Sequence, residues 1–448
     1  MKDIQIVTNA IGPLVVACGI CAVSTLTIAC SSSSVGTADD EVPGAHDADS
    51  PCEKLQRQAD EQPIIEALLK EHLSDDVRQL VENPEQHRLQ LLVSEIAEVE
   101  GERCLIEHGF RVDAEYFYPG NAIHAVGAIA ALQLLEEQAM DAPWGFDDVL
   151  WFHEIEDFDD PEQAGAALSP AGSLRNIIEQ TLIISSTEGF NQLFDLVGQQ
   201  RINQSMWNAG LESLRLQHRI FSWRTSDQER WTPKVSIAGN DDESSESESL
   251  QRLQPQQESH IELPPIDIGG LKVGQSHIEF GHIRGEPMDF STKNYLSLRD
   301  HQKLMLALYQ PGLSPLQLPT TDDHRAFVTE AMGVDPESFA DDLGHHAERH
   351  FKPTISGFAQ VIPRERLSYF NKTGRSHGFH VENAYVADSE SDRSLFLSAV
   401  VYVNENERIN DDIYEYDELS FPFYEELGAL VARKFLLSED DAPLSDAE

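Results

Sequence analysis

The chain has 448 residues, enough to bury one large core or two smaller ones. Its 40% hydrophobic and 8% aromatic content is that of a globular protein and excludes a disordered one. Acidic residues outnumber basic ones 78 to 32, a formal charge of -46. Little is left to neutralise phosphates, which excludes a nucleic-acid partner and leaves a strongly solvated acidic surface.

The chain opens with Lys2 and then an apolar run from Ile11 to Ala29, broken by Pro13 and Gly19. The run ends in LTIAC and is followed by SSSS. A small residue before a cysteine, then a polar tether, resembles a bacterial lipoprotein signal. That implies a signal peptide over 1–29, cleavage before Cys30, and a membrane anchor through lipid on Cys30. The other reading of the run is a transmembrane anchor, since its 19 residues just span a bilayer. LVVAC, ending at Cys18, is a second cleavage candidate. With Ser31 next there is no acidic retention signal, so the expected location is the cell envelope, on the outer membrane and facing the periplasm in a two-membrane organism. Of five cysteines, Cys18 and Cys21 leave with the signal and Cys30 carries lipid. Cys52 and Cys104 remain, an even pair in an oxidising compartment, with a disulfide and two free thiols both open at this point.

Residues 30–52 are small, polar and acidic and read as a flexible tether. From Glu53 to Asn83 the apolar spacing (Ile64, Ile65, Leu68, Leu69, Leu73) predicts helix. RLQLLVSEIAEVEG and RCLIEHGFRVDAEYFYP predict two strands with a turn near Glu100-Gly101. A helix follows from Asn121 to Gln138, apolar nearly all round and therefore central to the domain. SLRNIIEQTLIISS and GFNQLFDLVGQQRINQSMWNAGL predict further helices, with gaps at Ser185–Gly189 and Gly198. Residues 240–262, polar and acidic, read as a disordered insertion. Helix resumes at SLRDHQKLMLALYQ, and LSYFNKTGRSHGFHVENAYVAD and SLFLSAVVYVNEN predict strands. FPFYEELGALVARKFL closes a domain spanning 53–436, ahead of an acidic tail at 437–448. Strands near both ends with helices between predict an α+β fold: an antiparallel sheet built from both chain ends, packed against helices, plus a helical subdomain.

Three segments carry the chemistry, in order. Pro119-Gly120 turns a strand into a helix, with Asn121 at the corner and His124 one turn on. IISSTEGFNQLFDLVG holds Ser185, Ser186 and Thr187 in a break between helices. NKTGRSHGF places Lys372-Thr373-Gly374 on a late strand. This order resembles the serine β-lactamase and penicillin-binding-protein superfamily, whose signatures are S-x-x-K, S-D-N and K-T-G. The similarity runs from about Leu89 to Lys434. DFSTKNYLSLRD, AYVAD, FLSAVVYVN and NDDIYEYDELSFPFYEELG are similar to its class A β-lactamase-like serine hydrolases.

The resemblance implies what each segment does in the family. A serine opens the helix, where the first N–H groups and the dipole help to form an oxyanion hole. A lysine one turn on takes the serine's proton. The second motif donates toward substrate, and the K-T-G strand holds the substrate's carboxylate. No cofactor belongs to this chemistry. Position by position, Asn121 stands in place of the serine and His124 in place of the lysine. Between Glu95 and Leu168 there is no serine or threonine at all. Only Ser185 of S-D-N survives, with Thr187 in the third position, while Lys372, Thr373 and Gly374 are kept as candidate ligand contacts.

Each residue also has a purely structural reading. Asn121 is a good helix N-cap, His124 a buried core histidine, and Ser185 a cap for the helix at Thr187. Lys372 can join a structural ion pair. His346 and His350 are one turn apart but lack a third ligand motif, so no metal is expected. The expected function is a non-catalytic relative of the family that binds a cell-wall peptide or glycan, or a β-lactam-like small molecule. The alternatives are a serine hydrolase with its centre moved to Ser185, using His124 or Lys372, and a partner-binding envelope lipoprotein with a vestigial cleft.

Overall fold

The computed structural model describes residues 50–138, 144–155, 169–222, 224–238, 251–340, 343 and 347–437. Cys30, His346, the signal and the acidic tail from 438 onward lie outside them. The stretch predicted as one helical region is three helices: α1 Pro51–Glu61, α2 Ile64–His72 and α3 Asp75–Glu82. Pro63 ends the first, because it has no N–H to donate and disfavours helix in the residue before it. Helix α1 starts inside the expected tether. Ser50 and Glu53 form a reciprocal capping box there, and Pro51 sits at the first helical position.

Strands β1 Gln90–Val99 and β2 Glu102–Phe110 pair antiparallel around the Glu100-Gly101 turn. The second is shorter than predicted; its sequence runs on to Pro119, but the chain leaves the ladder at Arg111, which has φ of 51°. A short 3₁₀ turn, Gly120–Ile123, leads into α4, His124–Gln138, whose residues from His124 to Leu132 are all buried. Helices α5 Leu174–Ile183, α6 Thr187–Val197 and α7 Gln199–Ala209 follow, with α6 and α7 separated at Gly198 as expected. Helix α8 is Leu298–Tyr309 and α9 Asp322–Gly333. The late strands are β3 Leu367–Asn371, β4 Gly374–Ser376, β5 Phe379–Asp388 and β6 Arg393–Tyr402, and α10, Phe421–Val431, closes the domain.

The main sheet runs β3-β5-β6-β1-β2, with β4 beside β5, and every pairing is antiparallel. It is the α+β sheet from both chain ends that the pattern predicts. Successive side chains on a strand face opposite ways, and β6 shows the result. Phe396 joins the core of α4 to α8, while Leu395 and Leu397 join the core of α2, α3 and α10. Covered on both faces, β5 and β6 are buried almost throughout.

One correction falls in the predicted insertion. Gln251–Gln254 is a strand paired with Val235–Ala238, and Gln257–Glu258 pairs with Trp231–Thr232. Main-chain pairing does not need apolar side chains, so polarity alone misassigned that end of the segment. Cys52 and Cys104 are bonded, Cα atoms 5.2 Å apart. The Gln56 amide donates to Glu107 O at 3.0 Å and accepts from Glu107 N at 2.8 Å. Helix α1 thus occupies hydrogen-bonding positions on β2, at the sheet's edge.

Candidate functional site

Aromatic residues Tyr116, Phe117 and Tyr118 are buried and deliver the chain to Pro119, where the 3₁₀ turn begins. Asn121 does not cap that turn with its side chain. Its Nδ2 crosses to Ser185 O instead, at 3.1 Å. The predicted capping role of Asn121 is therefore replaced by a bridge to the second motif.

His124 is completely buried, its ring stacked on Phe190 with centroids 4.8 Å apart. Nδ1 lies 3.0 Å from Thr181 O, so it carries the proton and Nε2 is left as an acceptor. That Nε2 is buried and has no hydrogen-bond partner among the described residues. Burial first, then the Lys372 charge, hold the ring's pKa well below its ordinary value. His124 is a neutral core histidine, as its structural reading has it, and it does not hydrogen-bond Ser185.

Ser185 sits between α5 and α6 with φ of 52° and is half-buried. It does not cap the following helix. Ser186 does, its Oγ accepting from Gly189 N at 3.0 Å, and Thr187 is the first residue of α6. The capping role predicted for Ser185 belongs to its neighbour. Asn191, the asparagine downstream of the motif, bridges both backbone groups of Ile220.

Lys372 Nζ donates to Ser185 Oγ at 2.5 Å and to Thr373 O at 3.0 Å. It is almost fully buried and has no carboxylate within ion-pairing distance among the described residues. Burial lowers its pKa to about 7, opposed by Glu382 and reinforced by Lys352. The neighbouring Thr373 hydroxyl is spent inside the sheet. It donates to Val381 O at 2.8 Å and lies 3.3 Å from His380 Nε2.

Gly374 explains how the strand and the corner meet. A Cβ there would lie 2.3 Å from Pro119 O, 2.4 Å from Ala122 N and 2.8 Å from Asn121 N, all main-chain atoms. Only glycine allows that approach. Gly120, at φ of 51°, faces the Arg375 backbone from the other side. Asn121, Ser185 and Lys372 are thus brought together from three distant segments, with His124 behind them.

A second layer lies under the lysine. Glu382 on β5 is fully buried and accepts from Tyr369 Oη at 2.5 Å and Asn371 Nδ2 at 3.0 Å. Burial raises its pKa to about 7. Lys352, also buried, donates to Met332 O at 3.1 Å, and burial lowers its pKa to about 8. Glu382, an acidic residue inside the predicted strand FHVENAYVAD, was the one sequence signal for this layer. His350 packs its ring on Phe421, and among the described residues no group of three metal-ligating side chains exists. No helix among them is long and apolar enough to cross a membrane.

No family model matches the chain, and no curated protein matches it. The solved structures it is similar to include a β-lactamase from Xanthomonas campestris, at 12% identity and a TM-score of 0.41, covering 82% of this chain and 100% of that one. A class A β-lactamase from Bacteroides cellulosilyticus has 11% identity and a TM-score of 0.42, covering 86% and 98%. A β-lactamase from Desulfarculus baarsii has 13% identity and a TM-score of 0.42, covering 84% and 97%. The α+β architecture itself stands on the strand order and helix placement above.

Proposed function

We propose that the chain is an exported, lipid-anchored envelope protein with a β-lactamase/transpeptidase-like domain. Its cleft binds a cell-wall peptide or glycan, or a β-lactam-like small molecule, without forming an acyl-enzyme at the helix corner. One observation carries this reading: Asn121, Ser185 and Lys372 meet in the order of the three family motifs, with an amide where the nucleophile should be. An amide does not attack a carbonyl in this chemistry, and the whole Glu95–Leu168 segment supplies no hydroxyl of serine or threonine to replace it. Binding can outlast that loss, since Asn121 in the nucleophile's place still ties the corner to Ser185 and through it to Lys372. The Cys52–Cys104 bond fits an oxidising compartment, which supports export.

The other reading is a serine hydrolase centred on Ser185, favoured by the short Ser185–Lys372 bond alone. Equilibrium dialysis of the full chain against soluble peptidoglycan fragments tests the binding function. Saturable binding, with no acyl group mapped between Glu95 and Leu168 after exposure to penicillin, is the expected result. Absence of binding at millimolar ligand, or an adduct in that segment, would overturn it.

A further inference from the structure

We infer that Arg375 and Arg349 form a site for a phosphate group, free or carried as a monoester, on the face of the sheet that α10 covers. The site is separate from the Ser185–Lys372 pair. The β-register carries through the motif, since Lys372 N donates to Asn383 O at 2.9 Å. Arg375 lies three positions after Lys372, so the two side chains leave on opposite faces. Lys372 reaches Ser185 on one side. Arg375 is paired with His380 of β5 and shares its face, where His380 Nδ1 lies 2.8 Å from Ser420 Oγ.

Four basic side chains gather around one ring there. Arg375 Cζ lies 4.8 Å and Arg349 Cζ 4.5 Å from the centre of the Phe421 ring. The two guanidinium carbons are therefore no more than about 9 Å apart, a span that one phosphate can bridge. His350 and His380 each meet the edge of the same ring, both with centroids 5.2 Å away. Burial, then the charges of Arg375, His350 and Arg349, hold the His380 ring's pKa well below its ordinary value.

Carboxylates are plentiful in a chain of formal charge -46, yet the Arg375 guanidinium has no hydrogen bond and no ion pair among the described residues. It is stacked instead on Phe421 and, at 5.8 Å, on Tyr416, which fixes its plane and leaves its N–H fork open. The acid acting on it is Asp417, largely exposed, whose Oδ1 lies 3.6 Å from Arg349 Nη1. Tyr416 and Asp417 belong to a π turn, Tyr416–Ser420, that enters α10, and such turns occur frequently at functional sites.

The ligand class follows from the donors. One guanidinium fork saturates a carboxylate, so Arg375 alone would serve it. Two guanidiniums suit a group with two negative charges and three or more acceptor oxygens, which is a phosphate. Both arginines are half-buried, so each charge-assisted bond is stronger than on an open surface.

The test is isothermal titration calorimetry of the purified full chain, at low salt, with inorganic phosphate, glucose 6-phosphate and acetate. Saturable binding of phosphate is expected, at least roughly tenfold tighter than acetate. Glucose 6-phosphate binding as well marks a monoester site, and its failure to bind marks one for the free ion. Arg375→Met and Arg349→Met should each weaken phosphate at least roughly tenfold, and Asp417→Asn should tighten it. Arg201→Met, which removes a guanidinium paired with Glu137, should leave it unchanged. Urea unfolding without phosphate should give Arg375→Met a midpoint no lower than wild type, because one of two like charges is gone. A lower midpoint makes Arg375 structural, and Arg349→Met then decides the binding. No saturation at tens of millimolar phosphate, acetate binding as tightly, affinity that survives the arginine changes, or an equal loss in Arg201→Met overturns the assignment.

Discussion

Breaking the Cys52–Cys104 bond tests how the N-terminal helix is held. The two cysteines are 52 residues apart in sequence. In the chain-entropy account a crosslink over a loop of that length removes about 14 cal/mol/K from the unfolded ensemble, or about 4 kcal/mol at 25 °C. That figure is a ceiling. Helix α1 buries none of its residues, whereas α2 and α3 bury Ile65, Leu69, Val77, Leu80 and Val81. In a reduced native state α1 can therefore leave β2 while the next two helices stay in the core, and its freedom returns part of the lost entropy. Against that release stand two Gln56–Glu107 hydrogen bonds, worth about 1 kcal/mol each. The expected loss for Cys52→Ser with Cys104→Ser is about 2–4 kcal/mol, read from urea unfolding. Hydrogen exchange should quicken at the Glu107 amide while β1 stays protected. A loss below about 1 kcal/mol, or two free thiols in unreduced protein, would refute the reasoning.

Gly374→Ala should cost about 3 kcal/mol in the same unfolding assay, because its methyl group meets main-chain atoms that cannot rotate away; a near-neutral effect would mean the strand and corner are not in contact. Asp388 accepts from Arg366 Nε at 2.9 Å and Nη2 at 2.6 Å, and these bonds hold its pKa at about 2. A carboxylate depressed in this way stabilises above its ordinary value and stops doing so as pH falls toward 2, so Asp388→Asn should cost about 2 kcal/mol at pH 7 and little at pH 2. An equal cost at both values would show that the ion pair is not what holds it. Metabolic palmitate labelling should disappear in Cys30→Ala; labelling that persists would rule out the lipid anchor at that residue.

The parts legible in sequence are those set by local spacing. Asn121 and His124 follow a Pro-Gly corner, and Lys372-Thr373-Gly374 is contiguous, but that they share one site was implied by the family resemblance their order carries and not by spacing. Which of two adjacent serines caps α6 was not legible, since Ser185 and Ser186 have the same propensity and only the backbone dihedral separates them. Nor was the layer beneath the lysine. Lys352 and Glu382 lie on different elements, and no local pattern reports a distance between them. The Thr373 hydroxyl was expected to face a ligand. The strand instead spends it on Val381 O, a choice made by side-chain rotation rather than by sequence order.

The pairing of Gln90 with Val400 has a consequence for how this molecule is made. Strand β1 lies inside the sheet, yet its neighbour on one side, β6, is synthesised long after it. Until then β1 and β2 are a lone hairpin, which is marginal in water and presents an open edge. No fragment ending before β6 can complete the sheet, so the sheet stays unformed until that strand exists. Closure over so long a span is also slow. A nascent chain that cannot fold early remains threadable, and any truncation before Arg393 leaves β1 without the partner that makes it part of a sheet.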